Sequence, residues 1–252
     1  MRRRSGLLVP LETQVTVPGR PVGAPSYRAE LVRTLRVVLV AGLLAGLVIG
    51  ILLRLAMLVL RLASPGTSGL VSDDGFEIGV VTPFGIYNLL AFGILLGCAG
   101  AAGYVAVAPF LVGPRALRRM TVALTAMLLG GTAAIHEDGV DFTALDTEVA
   151  VGLFLVVPFL SGLLVSSVVD LVERRLDGWP RWLPVLTLVH PLLVLAVIGI
   201  AVVVAALLPV RRALLPRILA SPVLTWVVRG CFALVPLAAA SGLTRDLQAV
   251  LG

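Results

Sequence analysis

The sequence predicts an all-α membrane protein, built as a bundle of about six transmembrane helices. Apolar residues make up 59% of the 252-residue chain and charged residues 13%, with a mean hydropathy of +1.06. Soluble domains are nearer half apolar and a quarter charged. The apolar residues form six long stretches, and most charged residues lie in the gaps between them. Because a helix needs about 20 apolar residues to cross a hydrocarbon core of about 30 Å, the chain has room for one six-helix domain with short loops.

Each predicted element follows from the distribution of apolar, basic and proline residues. Residues 1–34 carry six arginines and four prolines and are expected to form an irregular basic tail on the cytoplasmic side. A single transmembrane domain covers residues 35–243, and residues 244–252 form a second, short tail. The third span has 16 residues and is shorter than a typical crossing helix. The six predicted spans are residues 35–62, 86–112, 120–135, 149–169, 183–208 and 223–243.

The arginines predict how the bundle is oriented. All 20 basic residues are arginine, and they are concentrated in the N-terminal tail and in the gaps after the second and fourth spans. Residues 63–85 and 136–148 contain eight acidic residues and no arginine. Short cytoplasmic loops carry the excess of basic residues in membrane proteins. Both termini are therefore predicted to be cytoplasmic, in a plasma membrane with the acidic loops outside.

Three arginines disagree with this topology. Arg211, Arg212 and Arg217 would lie in the last outer loop. One explanation is that the segment between Pro209 and Pro222 lies as an amphipathic helix in the headgroup layer, where arginine is tolerated. The other explanation is that the fifth and sixth segments are not simple spans. Both explanations stay open at the level of sequence.

The two acidic loops resemble one another. Residues 73–78 read DDGFEI and residues 137–142 read EDGVDF, which share the order acid, Asp, Gly, apolar, acid, apolar. Each motif precedes a span that ends in arginines, so the first four spans would form two hairpins of the same orientation, as in parallel-repeat membrane folds. Duplication and chance both account for six matching positions. Residues 76–78 and 140–142 alternate apolar and acidic side chains, which predicts short strands able to pair.

These loops supply the candidate outer-face acidic site. Carboxylate and imidazole groups are ligands for divalent cations, so the loops would hold a cation if they met. The spacing matches neither an EF-hand nor a zinc site. Asp-Gly pairs are also ordinary turn sequences, and a solvated pair of turns is the alternative. No other cofactor is predicted. The candidate residues are Asp73, Asp74, Glu77, His136, Glu137, Asp138 and Asp141.

Arg54, His190 and Arg229 are the candidate polar residues inside the predicted spans. Arg54 either contacts an outer carboxylate or lines an anion-binding pocket, because an unpaired arginine in the membrane costs several kcal/mol. Arg229 needs a partner, water or a snorkelling route for the same reason. His190 precedes Pro191 and would serve as a haem ligand or proton carrier, or would bond a carbonyl freed by a proline kink. The lack of a second histidine at this depth favours the kink.

Small residues on the second span predict close helix packing. Gly93, Gly97, Gly100 and Gly103 recur at helical spacing. The Gly93-x-x-x-Gly97 pair in particular lets two backbones approach closely. Both cysteines of the chain lie in apolar stretches and are predicted to be reduced packing residues.

The acidic loops also resemble sequences in polytopic membrane proteins of actinobacteria. The resembling segments are residues 72–79 (SDDGFEIG) and 136–142 (HEDGVDF), and the likeness extends over roughly residues 35–175. The resemblance implies a plasma-membrane location and a four-span core. That group has no established activity, so it implies no residue role here.

The sequence contains no motif that identifies a reaction. A P-loop, an HExxH motif, a supported GxSxG motif and a Rossmann fingerprint are all absent from it. The first function hypothesis is a non-enzymatic integral membrane protein that acts as an accessory subunit or binds a small ligand or cation at its outer face. The second is an enzyme that acts on a lipid or isoprenoid substrate through outer carboxylates. The third is a secondary transporter.

The expected partners are the lipid bilayer and another membrane protein. Nucleic acid is excluded as a partner, because the arginines do not form one basic surface with interleaved aromatic residues. Whether the protein is an enzyme and how many copies assemble stay open at this stage.

Overall fold

A computed structural model describes residues 26–64, 82–135 and 146–251. Within these residues the regular structure is helical and no strand occurs, which confirms the predicted all-α class. The predicted pairing of residues 76–78 with 140–142 lies outside the described residues. Short 3-10 turns occupy Ala108–Phe110, Leu176–Gly178 and Leu183–Leu188. The α-helices are α1 (Tyr27–Ala63), α2 (Pro83–Val107), α3 (Arg115–Ala134), α4 (Thr147–Arg174), α5 (Pro191–Ala220) and α6 (Pro222–Leu251).

Five of the described helices are long and apolar enough to cross a membrane. They are α1, α2 with its 3-10 end, α4, α5 and α6. The remaining helix, α3, has 20 residues and begins with three arginines in its first two turns. It corresponds to the third predicted span, which is also the shortest prediction. The membrane-type helical bundle is therefore confirmed.

Side-chain caps define where the helices begin. The Ser26 hydroxyl accepts a hydrogen bond from the Ala29 N–H (3.2 Å) at the start of α1. The Thr82 hydroxyl accepts from the Gly85 N–H (3.0 Å) at the start of α2, and Asp146 Oδ1 accepts from the Val149 N–H (3.1 Å) at the start of α4. Such caps satisfy N–H groups that have no partner within the helix.

The first four helices form two antiparallel hairpins, as predicted. The starts of α1 and α3, at Tyr27 and Arg115, lie on one face of the bundle, which we call the basic face. The end of α1 and the start of α4 lie on the other, which we call the distal face. There the Asp146 N–H donates to the Ser64 hydroxyl (2.8 Å).

Glycines bring α1 and α2 into backbone contact. A Cβ atom on Gly46 would lie 2.3 Å from the Ile94 Cα, and one on Gly93 would lie 2.4 Å from the Gly50 nitrogen. Gly42 and Gly97 meet in the same way. The close packing predicted at Gly93 and Gly97 is confirmed, and its complement is the evenly spaced glycine row on α1.

The second hairpin is also closely packed, and it joins the first through α1 and α4. A Cβ atom on Gly162 of α4 would lie 2.8 Å from the Ala126 Cβ of α3. Between the hairpins, the core contains Val38 and Ala45 of α1 together with Val165 and Val169 of α4, all 4% exposed or less. The four helices thus form one core.

The chain between α4 and α5 returns along the bundle in a mainly 3-10 conformation. Near its start, the Trp179 carbonyl accepts from Arg36 of α1 (3.3 Å). At its end, the Val189 carbonyl accepts from the Tyr87 hydroxyl near the start of α2 (3.0 Å). The predicted fifth span, 183–208, is therefore not one helix, and its first residues belong to this return segment.

The length of the return segment matches a full passage between the two faces. Gly50 lies against Leu90 in the antiparallel α1–α2 pair, so Asn88 is level with about position 52 of α1. That position is about 24 Å from Arg36 along the helix axis. The residues from Trp179 to His190 cover this distance at about 2.2 Å each, close to the 3-10 rise of about 2.0 Å.

Because of this passage, α5 begins on the distal face and ends on the basic face. The Tyr27 hydroxyl donates to the Ala205 carbonyl (2.8 Å). Arg212 Nε donates to Glu30 Oε2 (2.6 Å), and the two residues form an ion pair. The placement of Arg211, Arg212 and Arg217 in an outer loop is therefore wrong. These arginines lie at the same face as the start of α1.

The last helix, α6, then runs from the basic face to the distal face. Near its start, Arg229 Nε donates to the Phe110 carbonyl (3.1 Å). Further along, Thr132 donates to the Ala239 carbonyl (2.8 Å), and Leu243 packs in a buried cluster with Ile135. The described chain therefore begins at the basic face and ends at the distal face. The side of the membrane on which each terminus lies stays a prediction.

Candidate functional site

A polar cluster joins α2, α3 and α4 near the basic face. The Tyr104 hydroxyl donates to Asp170 Oδ1 (2.8 Å). Arg119 donates to Asp170 Oδ2 through Nη2 (2.9 Å) and Nε (3.3 Å). Tyr104 is buried, and the Asp170 side chain is 16% exposed. Both carboxylate oxygens are therefore satisfied by donors, and the group acts as a tie between three helices.

Arg36 of α1 lies at the same level. Gly42 of α1 contacts Cys98 of α2, and the two helices are antiparallel. Arg36 precedes Gly42 by six residues and Tyr104 follows Cys98 by six, so the two side chains start from the same level of the bundle. Arg36 Nη2 donates to the carbonyls of Trp179 (3.3 Å) and Leu176 (3.5 Å). Arg36 Nε is buried and has no hydrogen-bond partner among the described residues.

A cavity of about 260 Å³ lies beside Arg36, between the start of α1 and the end of α4. It combines basic, acidic and apolar side chains. Arg33 and Arg174 line it without forming an ion pair with any described residue. The residues that shape it include Val32, Arg33, Arg36, Glu173, Arg174 and Asp177.

His190 begins α5 and does not kink it. Its Nδ1 accepts a hydrogen bond from the Leu192 N–H (3.2 Å), so the proton resides on Nε2, which donates to Asn88 Oδ1 (3.1 Å). The ring packs against Tyr87 with centroids 4.9 Å apart, and His190 is 8% exposed. The proline-kink interpretation is wrong. In this arrangement His190 caps a helix and ties it to α2, and neither ring nitrogen is free for a haem.

Arg229 binds a backbone carbonyl near the basic face. Besides its bond to Phe110, its guanidinium lies 5.1 Å from the Trp226 ring centroid. Phe110 is the last residue of the 3-10 turn that ends α2, where carbonyls lack helical partners. The charge is therefore placed between an aromatic face and a carbonyl oxygen.

Arg54 is half-buried on α1, near the level of Asn88. It follows Arg36 by 18 residues, about 27 Å along the helix axis, which is close to the hydrocarbon thickness of about 30 Å. Its predicted carboxylate partners lie outside the described residues. The whole outer-face acidic site does so too: Asp73, Asp74, Glu77, His136, Glu137, Asp138 and Asp141.

The bundle also contains an apolar crevice of about 360 Å³ between α1 and α4. Val48, Leu52, Leu160 and Leu164 line it. Ser167, which also lines it, donates its hydroxyl to the Leu163 carbonyl (2.7 Å). A crevice of this composition offers room to hydrocarbon and supplies no group for acid–base chemistry.

Potential metal ligands do not cluster in the part of the chain that the structure describes, where no group of three His, Cys, Asp or Glu side chains occurs. Comparison of the chain with protein-family models, curated proteins and solved structures found no match. The resemblance to actinobacterial membrane proteins stays a prediction, and no residue role is carried over from another protein.

Sequence patterns did not single out Arg36, Tyr104 or Asp170. Arg36 and Asp170 lie at the ends of apolar stretches, where charged side chains are usually interfacial, and Tyr104 lies inside the second predicted span. A signal was available for Asp170, because it follows 21 residues without a charge and belongs to the helical turn that precedes Arg174. Such a carboxylate at the inner edge of a span requires a donor nearby.

Proposed function

We propose that this protein is a non-enzymatic integral protein of the plasma membrane that acts as an accessory subunit of another membrane protein. Its basic face is directed to the cytoplasm and its acidic loops to the outside. The orientation is supported by the arginines. Of the sixteen arginines in the described residues, only Arg54, Arg61 and Arg245 lie toward the distal face.

A non-enzymatic role is supported by how the intramembrane polar groups are used. His190, Asp170 and Arg229 each bond a neighbouring side chain or carbonyl. An active site instead gathers polar groups around a cavity that admits a substrate. These three side chains therefore connect neighbouring elements of the bundle.

The observation that carries the accessory role is the exposure of α5 and α6. Only 11% of the most apolar window of each helix is buried, compared with 28–39% in α1, α2 and α4. Gly199 and Gly230 lie on exposed faces of these two helices, and no other part of the described chain comes within 4 Å of the position that a Cβ would occupy. Small residues on open helix faces allow another membrane helix to approach closely.

Photocrosslinking in intact membranes tests this role. A photoreactive amino acid would replace Val203 of α5 or Val227 of α6, which are 53% and 55% exposed. Each position should give a discrete adduct with another membrane protein. Val38 of α1 is fully buried and provides the matched control, which should give no such adduct. Adducts with lipid alone, or only with a second copy of this chain, would contradict the accessory role.

A further inference from the structure

The cavity at the basic face has the charge expected of an anion site. Its wall carries three guanidinium groups, from Arg33, Arg36 and Arg174, and two carboxylates, from Glu173 and Asp177. Arginine is the preferred residue for binding phosphate, because its planar guanidinium presents a fork of N–H donors that matches the phosphate oxygens. The lining side chains therefore leave one net positive charge at the cavity.

The arginines of this cavity form no ion pair with a carboxylate in the described part of the chain. Arg36 is held by the carbonyls of Leu176 and Trp179, which fix its position without cancelling its charge. The ion pairs that the structure shows join other residues, Arg119 to Asp170 and Arg212 to Glu30. Arg33 and Arg174 thus keep donors for a ligand.

The depth of the cavity in the bundle indicates which ligand it meets. Arg36 is level with Tyr104, where the apolar part of α1 begins, and it lies about 27 Å from Arg54 at the opposite edge. This level corresponds to the boundary between hydrocarbon and headgroups. Ala29, Val32 and Leu176 add apolar surface beside the charged groups. The phosphates of a leaflet lie close to this level.

We propose that this cavity binds a phosphate group presented by the headgroup of an anionic phospholipid. Its volume of about 260 Å³ is slightly below the roughly 300 Å³ at which small-molecule pockets begin, so it admits a headgroup and leaves the acyl chains outside. Basic pockets between transmembrane helices bind anionic headgroups in this way. The assignment to the cytoplasmic leaflet rests on the proposed orientation, whereas the binding itself does not.

Thermal unfolding of the full-length protein in detergent micelles tests the site. Short-chain phosphatidylglycerol should raise the unfolding temperature saturably, because a ligand that binds only the folded state stabilises it. Short-chain phosphatidylcholine should have no such effect. Arg33→Gln and Arg174→Gln should each weaken the apparent affinity for phosphatidylglycerol about tenfold, the usual effect of losing a charged hydrogen bond. Arg28→Gln removes an exposed charge from the same face outside the cavity and should leave the affinity unchanged.

The outcomes separate the cavity from general attraction to a basic surface. The proposal would be overturned if both lipids raised the unfolding temperature of the unmodified protein equally, and this result does not depend on any variant folding. It would also be overturned if Arg28→Gln weakened the affinity for phosphatidylglycerol as much as Arg33→Gln and Arg174→Gln do. Adding inorganic phosphate instead of lipid tests whether the site binds a soluble ligand. If it stabilises the protein as strongly, with the same dependence on Arg33 and Arg174, the lipid source is wrong. Because binding in detergent needs no partner protein, failure of the accessory role would leave these results unaffected.

Discussion

Asp170 shows how a single charge is retained at the edge of the hydrocarbon region. Its two oxygens accept from Tyr104 of α2 and Arg119 of α3, so one side chain on α4 connects both hairpins. A charge in such a position costs free energy unless it is paired and hydrogen-bonded. The cluster therefore stabilises this arrangement of helices chiefly because the alternative leaves a charge without a partner.

Removing Arg119 alone should destabilise the protein more than removing the pair. Arg119→Met leaves Asp170 uncompensated, and we expect a loss of about 2–3 kcal/mol, between the values for exposed and buried pairs, because the two side chains are 30% and 16% exposed. Arg119→Met with Asp170→Leu should recover much of this loss. Unfolding by denaturing detergent in mixed micelles measures both. Additive effects of the two substitutions would show that the residues are not coupled.

The neighbouring arginine supplies the control for this cycle. Arg118 donates to the Gly113 carbonyl (3.0 Å) and forms no ion pair with a described residue. Arg118→Met should therefore cost less than about 1 kcal/mol, the usual net value of a hydrogen bond near the surface.

The sequence identifies charged residues that interrupt an apolar stretch as functionally or structurally important. It does not identify those at the ends of a stretch. Arg229 is predicted to need a partner, water or a snorkelling route, and it bonds the Phe110 carbonyl. His190 is predicted to bond a carbonyl freed by a kink and instead bonds the Asn88 side chain. Their partners were not predictable, because Asn88 and the Phe110 carbonyl come close only through the tertiary arrangement. Arg36 is the second residue of the first predicted span and is not predicted to have a role, since a charge at the start of a span is usually solvated.

At the scale of elements, the α1–α2 hairpin depends on glycines that leave no space for a side chain. Gly46→Ala would place a Cβ 2.3 Å from a backbone atom of Ile94, which cannot move without separating the helices. Overpacking of this kind costs about 1–3 kcal/mol, and a backbone clash lies at the upper end. Unfolding in mixed micelles should therefore show a loss of about 2–3 kcal/mol for Gly46→Ala.

Gly103 on α2 provides a matched control. Among the residues that the structure describes, no neighbouring element comes within 4 Å of the position that a Cβ would occupy there. Because alanine favours the helix over glycine by up to about 1 kcal/mol, Gly103→Ala should be neutral or stabilising. Equal effects of the two substitutions would mean that the hairpin does not rely on close contact at Gly46.

The glycine row on α1 was readable from the sequence, whereas the return segment was not recognised. Gly42, Gly46 and Gly50 repeat at intervals of four, the spacing that also identified Gly93 and Gly97. Residues 183–208 form a long apolar run, and composition alone cannot distinguish a helix from a 3-10 passage followed by one. The signal was Pro191, because a proline favours a helix start and disfavours helix in the residue before it.

At the scale of the whole molecule, the return segment changes the number of passages through the bundle from six to seven. Backbone that is not α-helical is tolerated at membrane depth only where protein satisfies or covers it. Here Arg36 and Tyr87 bond its carbonyls at either end, and Thr187 is buried within it. The extra passage brings Arg211, Arg212 and Arg217 to the basic face. With this passage included, these three arginines lie on the same face as most other arginines of the described chain.

An odd number of passages also predicts where the chain ends. Residues 1–25 carry four arginines and precede α1 at the basic face, whereas α6 ends at the distal face. If the basic face is cytoplasmic, as the arginine distribution favours, the end of the chain lies outside the cell. Six passages would instead return it to the cytoplasm, so the position of residue 252 distinguishes the two topologies.

Cysteine labelling in intact cells tests this topology. In a background with Cys98→Ala and Cys231→Ala, an impermeant thiol reagent should label Ser72→Cys and Gly252→Cys without lysis. Ser5→Cys and Ser221→Cys should react only after lysis, because the first lies in the basic tail and the second joins α5 to α6 at the basic face. If Ser221→Cys reacted in intact cells and Gly252→Cys did not, the chain would cross the membrane six times and not seven. The reverse pattern at all four positions would place the basic face outside, against the charge rule, while leaving the seven passages intact.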